Sequence, residues 1–324
     1  MEFTTHPFEF IKPAKTSRGS YSVKNHYSIC TTENNKTGRG EIAPLPDLSI
    51  DGKVNYEDVL ESIKSLSNLD LQNYAKAQVQ EYPALNFAVE SAFNQIKEDP
   101  SLFRNGQSIF INGLVWMDTI DAMLKAALKK AEEGFRCLKF KIGALDHDAE
   151  CRMIERVRVD YPNITIRLDA NGGFSFDDAL LKMEDFKAFQ IHSIEQPIKA
   201  GEWDAMHELC AKSPIDIALD EELIGQSNNK RDLLQSIVPK YIILKPTLLG
   251  GFSQCDEWIS EAKTIDAGWW ATSALEGNIG LLAIAEWLSK YNPSLPQGLG
   301  TGALYKVNFE SELSLDKDLL QYKP

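Results

Sequence analysis

A chain of 324 residues, 43% hydrophobic and 25% charged, is long enough for a large globular domain and a smaller one. Its formal net charge of -13, without a lysine/arginine cluster, argues against nucleic-acid and anionic-membrane partners, so an anionic substrate would need a local cationic patch. No apolar run approaches the ~18 residues of a membrane span. The N-terminus lacks a signal-peptide pattern, and the 5 cysteines are scattered without a CxxC pair, which reads as reduced thiols and a cytoplasmic setting.

Residues 1 to about 50 read as strands: YSVKNHYSIC alternates, ENNKTGRG is turn chemistry, and GEIAPLP is a loop rich in glycine and proline. Helical spacing follows. In 83–97, Leu85, Ala88, Val89, Ala92 and Ile96 form one apolar stripe after Pro83. From about 109 strands and helices alternate. The strand candidates are 109–115, 137–142, 165–169, 191–195, 215–220, 241–245, 269–274 and, as the weakest, 297–301. Helices are predicted at 119–133 with Asp118 as N-cap, at 176–189 with Ser175 as N-cap, and at about 253–267. Eight strand candidates with intervening helices predict an α/β fold, a (β/α)-barrel over 106–304, preceded by an α+β unit over 1–105. The tail, about 305–324, alternates again and is expected to return to the first unit.

Five charged residues punctuate the barrel strands: Lys141, Asp169, Glu195, Asp220 and Lys245, at steps of 28, 26, 25 and 25 residues. Each lies in or just after a short apolar run, so successive β/α units would deliver them to one barrel mouth. Lys139 and Lys141 leave the same face of one strand. Two adjacent ammonium groups lower each other's pKa, which suits a lysine base. Asp169, Glu195 and Asp220 are hard oxygen donors that would repel one another without a cation among them, and Mg²⁺ suits such a set. The 5 histidines show no ligand spacing, which sets zinc aside. Asn171 shares a face with Asp169. Ser273 ends the seventh strand candidate, and Gly277-Asn278-Ile279-Gly280 reads as a helix start whose N–H groups could hold an anion.

The ordered set Lys-x-Lys (139–141), Asp-x-Asn (169–171), Glu195 in EQP, Asp220 in LDE and Lys245 in LKP resembles the enolase superfamily, in its muconate-lactonizing-enzyme-like subgroup. That resemblance implies a modified TIM barrel with an N-terminal α+β capping domain, expected at 1–105 and completed by about 305–324. It implies Mg²⁺, with Mn²⁺ as the alternative, on Asp169, Glu195 and Asp220, binding the carboxylate of a small anionic substrate. Lys141 would remove the α-proton, Lys139 and the metal would stabilise the enediolate, and Lys245 would face it as a cation. Asn171, Ser273 and Asn278 would contact substrate, with Ser273 and Asn278 at the remote carboxylate. Self-association into a homo-oligomer is compatible with the resemblance. The segments around Thr16–Ser20 and near Gly52 are the expected mobile cover.

Members of the subgroup divide among cycloisomerisation, racemisation or epimerisation of acylated amino acids and dipeptides, and a syn-dehydration that forms 2-succinylbenzoate in menaquinone biosynthesis. GRGEIAPLP (38–46), TSALEGNIG and the short chain resemble the dehydrating branch. The region QGLGTGALY carries no carboxylate for a substrate ammonium, against a dipeptide epimerase. A non-catalytic barrel that only binds is the third reading, and retention of all five charged residues counts against it.

Overall fold

The computed structural model describes residues 2–16, 19–97, 99–301 and 303–324. Three antiparallel strands open the chain, β1 (Glu2–Thr16), β2 (Gly19–Glu33) and β3 (Lys36–Ile42), in the order β1-β2-β3. Asn34 and Asn35 turn the β2–β3 hairpin, both at left-handed φ (50° and 63°), as a two-residue loop matching the strand twist requires. The helices α1 (Tyr56–Ile63), α2 (Asn68–Ala77) and α3 (Pro83–Lys97) cover this sheet. The predicted stripe of α3 is buried throughout. Gly40 is obligatory beneath it, since a Cβ there would stand 1.9 Å from the Ala88 carbonyl oxygen.

The barrel follows as β4 (Ile109–Phe110), β5 (Gly113–Val115), α4 (Ile120–Glu132), β6 (Cys137–Lys141), α5 (His147–Asp160), β7 (Thr165–Asp169), α6 (Phe176–Phe186), β8 (Ser193–Glu195), α7 (Trp203–Lys212), β9 (Ile217–Leu219), α8 (Lys230–Ile237), β10 (Tyr241–Leu244), α9 (Pro246–Leu249), α10 (Phe252–Thr264), β11 (Gly268–Ala271) and α11 (Asn278–Ser289). β5 to β11 form one parallel sheet in sequential order. Two bridges, Ile111 to Gln297 and Thr272 to Gly298, span the gap between its edges. The barrel core is one apolar cluster, and Phe87 of α3 belongs to it, which ties the first helical layer to the barrel.

Several sequence expectations are corrected. The stretch 109–115 is two strands. β4 pairs antiparallel with β13 (Leu319–Tyr322), which pairs with β12 (Leu313–Asp316), and only β5 enters the barrel sheet. The stretch 297–301 makes bridges rather than a strand. Thr119, not Asp118, caps α4, accepting from the Ala122 amide, while Asp118 Oδ1 accepts from the Thr119 amide. The tail divides: residues 304–309 run along β1, with Phe8 and Phe10 packed on Tyr305, while 313–322 turns away to β4.

Candidate active site

Strand register builds the site. Lys141, Asp169 and Glu195 are Cα partners across β6, β7 and β8, so their side chains lie in one row at the C-terminal strand ends. Asp220 and Lys245 each follow the last residue of β9 and β10. The five residues therefore meet at one mouth, with Lys139 one layer below Lys141.

Inside it the charges interlock. Lys139 Nζ lies 2.8 Å from Asp169 Oδ2 and 2.5 Å from Glu195 Oε2. Lys141 donates to Asp169 Oδ2 at 2.6 Å and to Asn171 Oδ1 at 2.7 Å, and Lys245 donates to Asp220. Asn171 Nδ2 donates in turn to Glu221 Oε1 at 3.1 Å. Burial disfavours the Lys139 ammonium, but Asp169, Glu195 and Asp220 outweigh it and hold Lys139 above its ordinary range. Lys245 goes the same way: burial opposes its charge, and Asp220 and Glu195 restore it. The expectation that paired lysines depress each other is thus reversed for Lys139, because the pull of three carboxylates outweighs both burial and its cationic neighbours. Burial likewise works against the charge on Asp169, yet Lys139 and Lys141 hold that carboxyl well below its usual range. Burial and the charge of Asp169 push Glu195 far up.

Whether these residues suit a metal can be judged from the charge they leave over. Four buried carboxylates, Asp169, Glu195, Asp220 and Glu221, face three lysines, 139, 141 and 245. With all four ionised one negative charge would be in excess, the repulsion that pushes Glu195 up, and Glu195 Oε1 is buried without a hydrogen-bond partner. Among the described residues no three acidic, histidine or cysteine side chains gather around one point. Lys139 instead bridges Asp169 and Glu195, and Lys245 pairs with Asp220. An all-oxygen set with an open acceptor and surplus negative charge fits a hard divalent cation.

The site opens into a cleft of ≈ 870 Å³ of empty space, counting its open mouth. Lys139, Lys141, Lys245, Asn171 and Glu221 form its polar end, and Tyr21, Leu45, Leu48, Leu114, Trp116 and Leu275 its apolar walls. Ser273 lines it as expected, receiving a hydrogen bond from Thr301 at 2.7 Å. Asn278 is not part of it. Its amide donates to Asn308 Oδ1 and its Nδ2 to the Phe309 carbonyl, and it borders a different cavity. The start of α11 is closed as well, because Glu41 accepts from the Gly277 amide at 2.6 Å and the Gly280 amide at 2.8 Å. The helix start was legible, but its filled state depends on a carboxylate from β3.

Of the expected covers, the one at Thr16–Ser20 lies partly outside the described residues, at 17 and 18. The turn containing Gly52 packs on Leu45, which walls the cleft. The reading from sequence missed Glu221, Trp116, Leu48 and Thr301. Glu221 alone left a signal, the second acid of LDEE.

Residues 122–316 match the family described as Enolase C-terminal domain-like. The chain is 38% identical to an o-succinylbenzoate synthase of Desulfotalea psychrophila, over 96% of this chain and 95% of the relative. The crystal structure of MenC from the same organism superposes with a TM-score of 0.83 at 34% identity, covering 99% of this chain and 98% of that one. A dipeptide epimerase from Cytophaga hutchinsonii, complexed with Mg and D-Ala-L-Val, shares the fold with a TM-score of 0.85 at 18% identity, covering 99% of this chain and 92% of that one.

Proposed function

The chain belongs to the enolase superfamily, and from that premise we propose that it performs the o-succinylbenzoate synthase reaction. In this reaction 2-succinyl-6-hydroxy-2,4-cyclohexadiene-1-carboxylate loses water to give 2-succinylbenzoate, a step of menaquinone biosynthesis. The observation that carries the reading is the cleft itself. Three lysines crowd one end, the walls beyond are apolar, and Glu221 is its one lining carboxylate among the described residues. Such a cleft suits an anionic cyclohexadiene, and its lining carboxylate is engaged by Asn171 at 3.1 Å, which disfavours a dipeptide ammonium there.

Asp169, Glu195 and Asp220 would hold the cation, for which Mg²⁺ is the natural choice and Mn²⁺ the alternative. Bound there, it would supply positive charge that polarises the substrate carboxylate and lowers the proton affinity of a nearby lysine. Lys141 takes the proton from the carbon bearing the carboxylate, and the C–H electron pair passes into an enediolate. Lys139, fixed between Asp169 and Glu195, remains an ammonium and contributes preorganised positive charge beneath that anion. Lys245 does the same from the opposite side of the barrel, anchored by Asp220. Asn171 orients the Lys141 ammonium through its 2.7 Å hydrogen bond. Lys141 then returns its proton to the hydroxyl as the C–O bond breaks. Water leaves from the face on which the proton was lost, and the ring becomes aromatic.

No helix among the described residues is long and apolar enough to cross a membrane, and the five cysteines are free thiols, in keeping with a cytoplasmic enzyme. The test is absorbance of the aromatic product from the cyclohexadiene substrate with Mg²⁺. Fast turnover is expected. A folded, metal-bound protein without turnover that exchanges α-protons of N-acylamino acids or dipeptides in D₂O would transfer the chain to the epimerases.

A further inference from the structure

The wall of the cleft that follows β11 is held from the other domain. Ser273, Ala274 and Leu275 line the cleft. Lys24 of β2 is 3% exposed and does not line it, yet its Nζ donates to the Ala274 carbonyl at 3.0 Å and the Leu275 carbonyl at 2.8 Å. Tyr305 donates its hydroxyl to the same Leu275 carbonyl at 2.6 Å. Leu275 has φ of 62°, a left-handed conformation that a leucine keeps only where its surroundings impose it. That turn lets two successive carbonyls meet one ammonium.

Each end of the segment is tied down too. The buried Glu276 carboxylate accepts from Ser273 Oγ at 2.5 Å, from the Ala274 amide at 2.8 Å and from Thr247. Glu41 of β3, paired with His26 at 2.5 Å, takes the amides of Gly277 and Gly280. Burial lowers the Lys24 pKa to about 8, against the raising pull of Glu276 and Glu41. The group is therefore still largely cationic at neutral pH, and both hydrogen bonds are charge-assisted.

We infer that Lys24 is a positioning residue that acts through the carbonyls of Ala274 and Leu275, fixing the wall of the cleft that receives the part of the substrate remote from Lys141. It governs substrate affinity and not proton transfer. The inference rests on the reaction proposed above for its kinetic readout, but its structural readout does not.

The experiment compares Lys24→Met, Lys24→Arg and Tyr305→Phe in the full-length Mg²⁺-loaded enzyme. Loss of two charged hydrogen bonds predicts a KM raised about tenfold to a hundredfold in Lys24→Met, with kcat within about threefold of the parent. Lys24→Arg should recover part of the loss. Tyr305→Phe, which removes one neutral hydrogen bond and spares the fold, should raise KM about threefold. Hydrogen exchange over 274–277 should quicken about tenfold or more in Lys24→Met while the barrel strands keep their protection. Unchanged KM and unchanged exchange in a folded Lys24→Met would overturn the inference, as would a fall in kcat at constant KM. Should Lys24→Met not fold, a Tyr305→Phe enzyme with parental KM and parental exchange overturns it. If the parent enzyme fails to dehydrate the cyclohexadiene, the functional reading falls, and exchange over 274–277 still decides the role of Lys24.

Discussion

Lys141→Ala separates the base from the metal ligands. Lys141 Nζ has two side-chain partners, Asp169 at 2.6 Å and Asn171 at 2.7 Å, and each keeps another when it is gone. Asp169 retains Lys139 at 2.8 Å, and Asn171 retains Glu221 at 3.1 Å. No buried carboxylate is stranded, so the stability loss should stay near about 1 kcal/mol, below the 3–5 kcal/mol range of a broken buried pair. The kinetic loss should be far larger. A positioned general acid or base contributes roughly 10²–10⁴-fold, and Lys141 is assigned both proton removal and proton return. A fall in kcat of at least about 10⁴ is expected, about 5.4 kcal/mol at 1.36 kcal/mol per decade. Mg²⁺ affinity should hold or rise, because a cation competing for Asp169 has been removed. Product absorbance gives the rate, and calorimetric titration with Mg²⁺ gives the affinity. Residual turnover above a few per cent would refute the assignment. So would loss of Mg²⁺ binding, which would mean that Lys141 shapes the ligand set.

Three further outcomes are expected. Asp220→Asn should weaken Mg²⁺ binding about tenfold or more and shift the metal dependence of kcat; an unchanged Mg²⁺ titration removes Asp220 from the ligand set. Acid should destabilise the first domain through His26 and Glu41. Burial, working against the raising pull of Glu41, takes the His26 pKa from 6.5 to about 4, so below pH 6.5 the unfolded chain binds the extra proton first. Stability is full above pH 6.5 and is lost progressively toward pH 4, by about 3 kcal/mol for 2.5 units at 1.36 kcal/mol each. Glu41, which His26 and two amides hold below its ordinary range despite burial, acts in the same direction. Melting curves of His26→Gln that keep the parent's full acid sensitivity would contradict this. Gly40→Ala should lower stability by about 3 kcal/mol, because its Cβ would meet the backbone of Ala88 at 1.9 Å and α3 would have to lift from β3; a parental denaturant midpoint would show that the layers slide apart freely.

The barrel and its charged ring were legible because each signal is local. A short apolar run makes a buried strand, and the charged residue at its end has nowhere to face but the mouth, so CLKFK, TIRLD and YIILK each carry their own placement. What failed needed distant partners. Ile109 and Phe110 look like the start of one strand with 113–115, but β13 claims them from the far end of the chain. Asn278 sits where a helix start should bind an anion, and Glu41, 236 residues from Gly277, is already there. The direction in which the Lys139 pKa moves was misread for the same reason, since its sequence neighbour is a cation and its spatial neighbours are carboxylates.

The substrate-facing walls were hidden by a different cause. Tyr21, Leu45, Trp116 and Leu275 come from four separate segments, and each presents an apolar body like that of a core residue. Hydrophobic patterning says that a side chain turns inward. It does not say whether it meets another side chain or an empty space. Ligands and bases announce themselves because a buried charge without a partner is costly, whereas an apolar residue is equally at ease against protein or against a ring that is yet to arrive. The reaction chemistry of this fold is therefore written in single strands. The shape of the cleft is set by the spacing between separate segments, and Lys24 of β2 ties one of them, at Ala274 and Leu275, to the first domain.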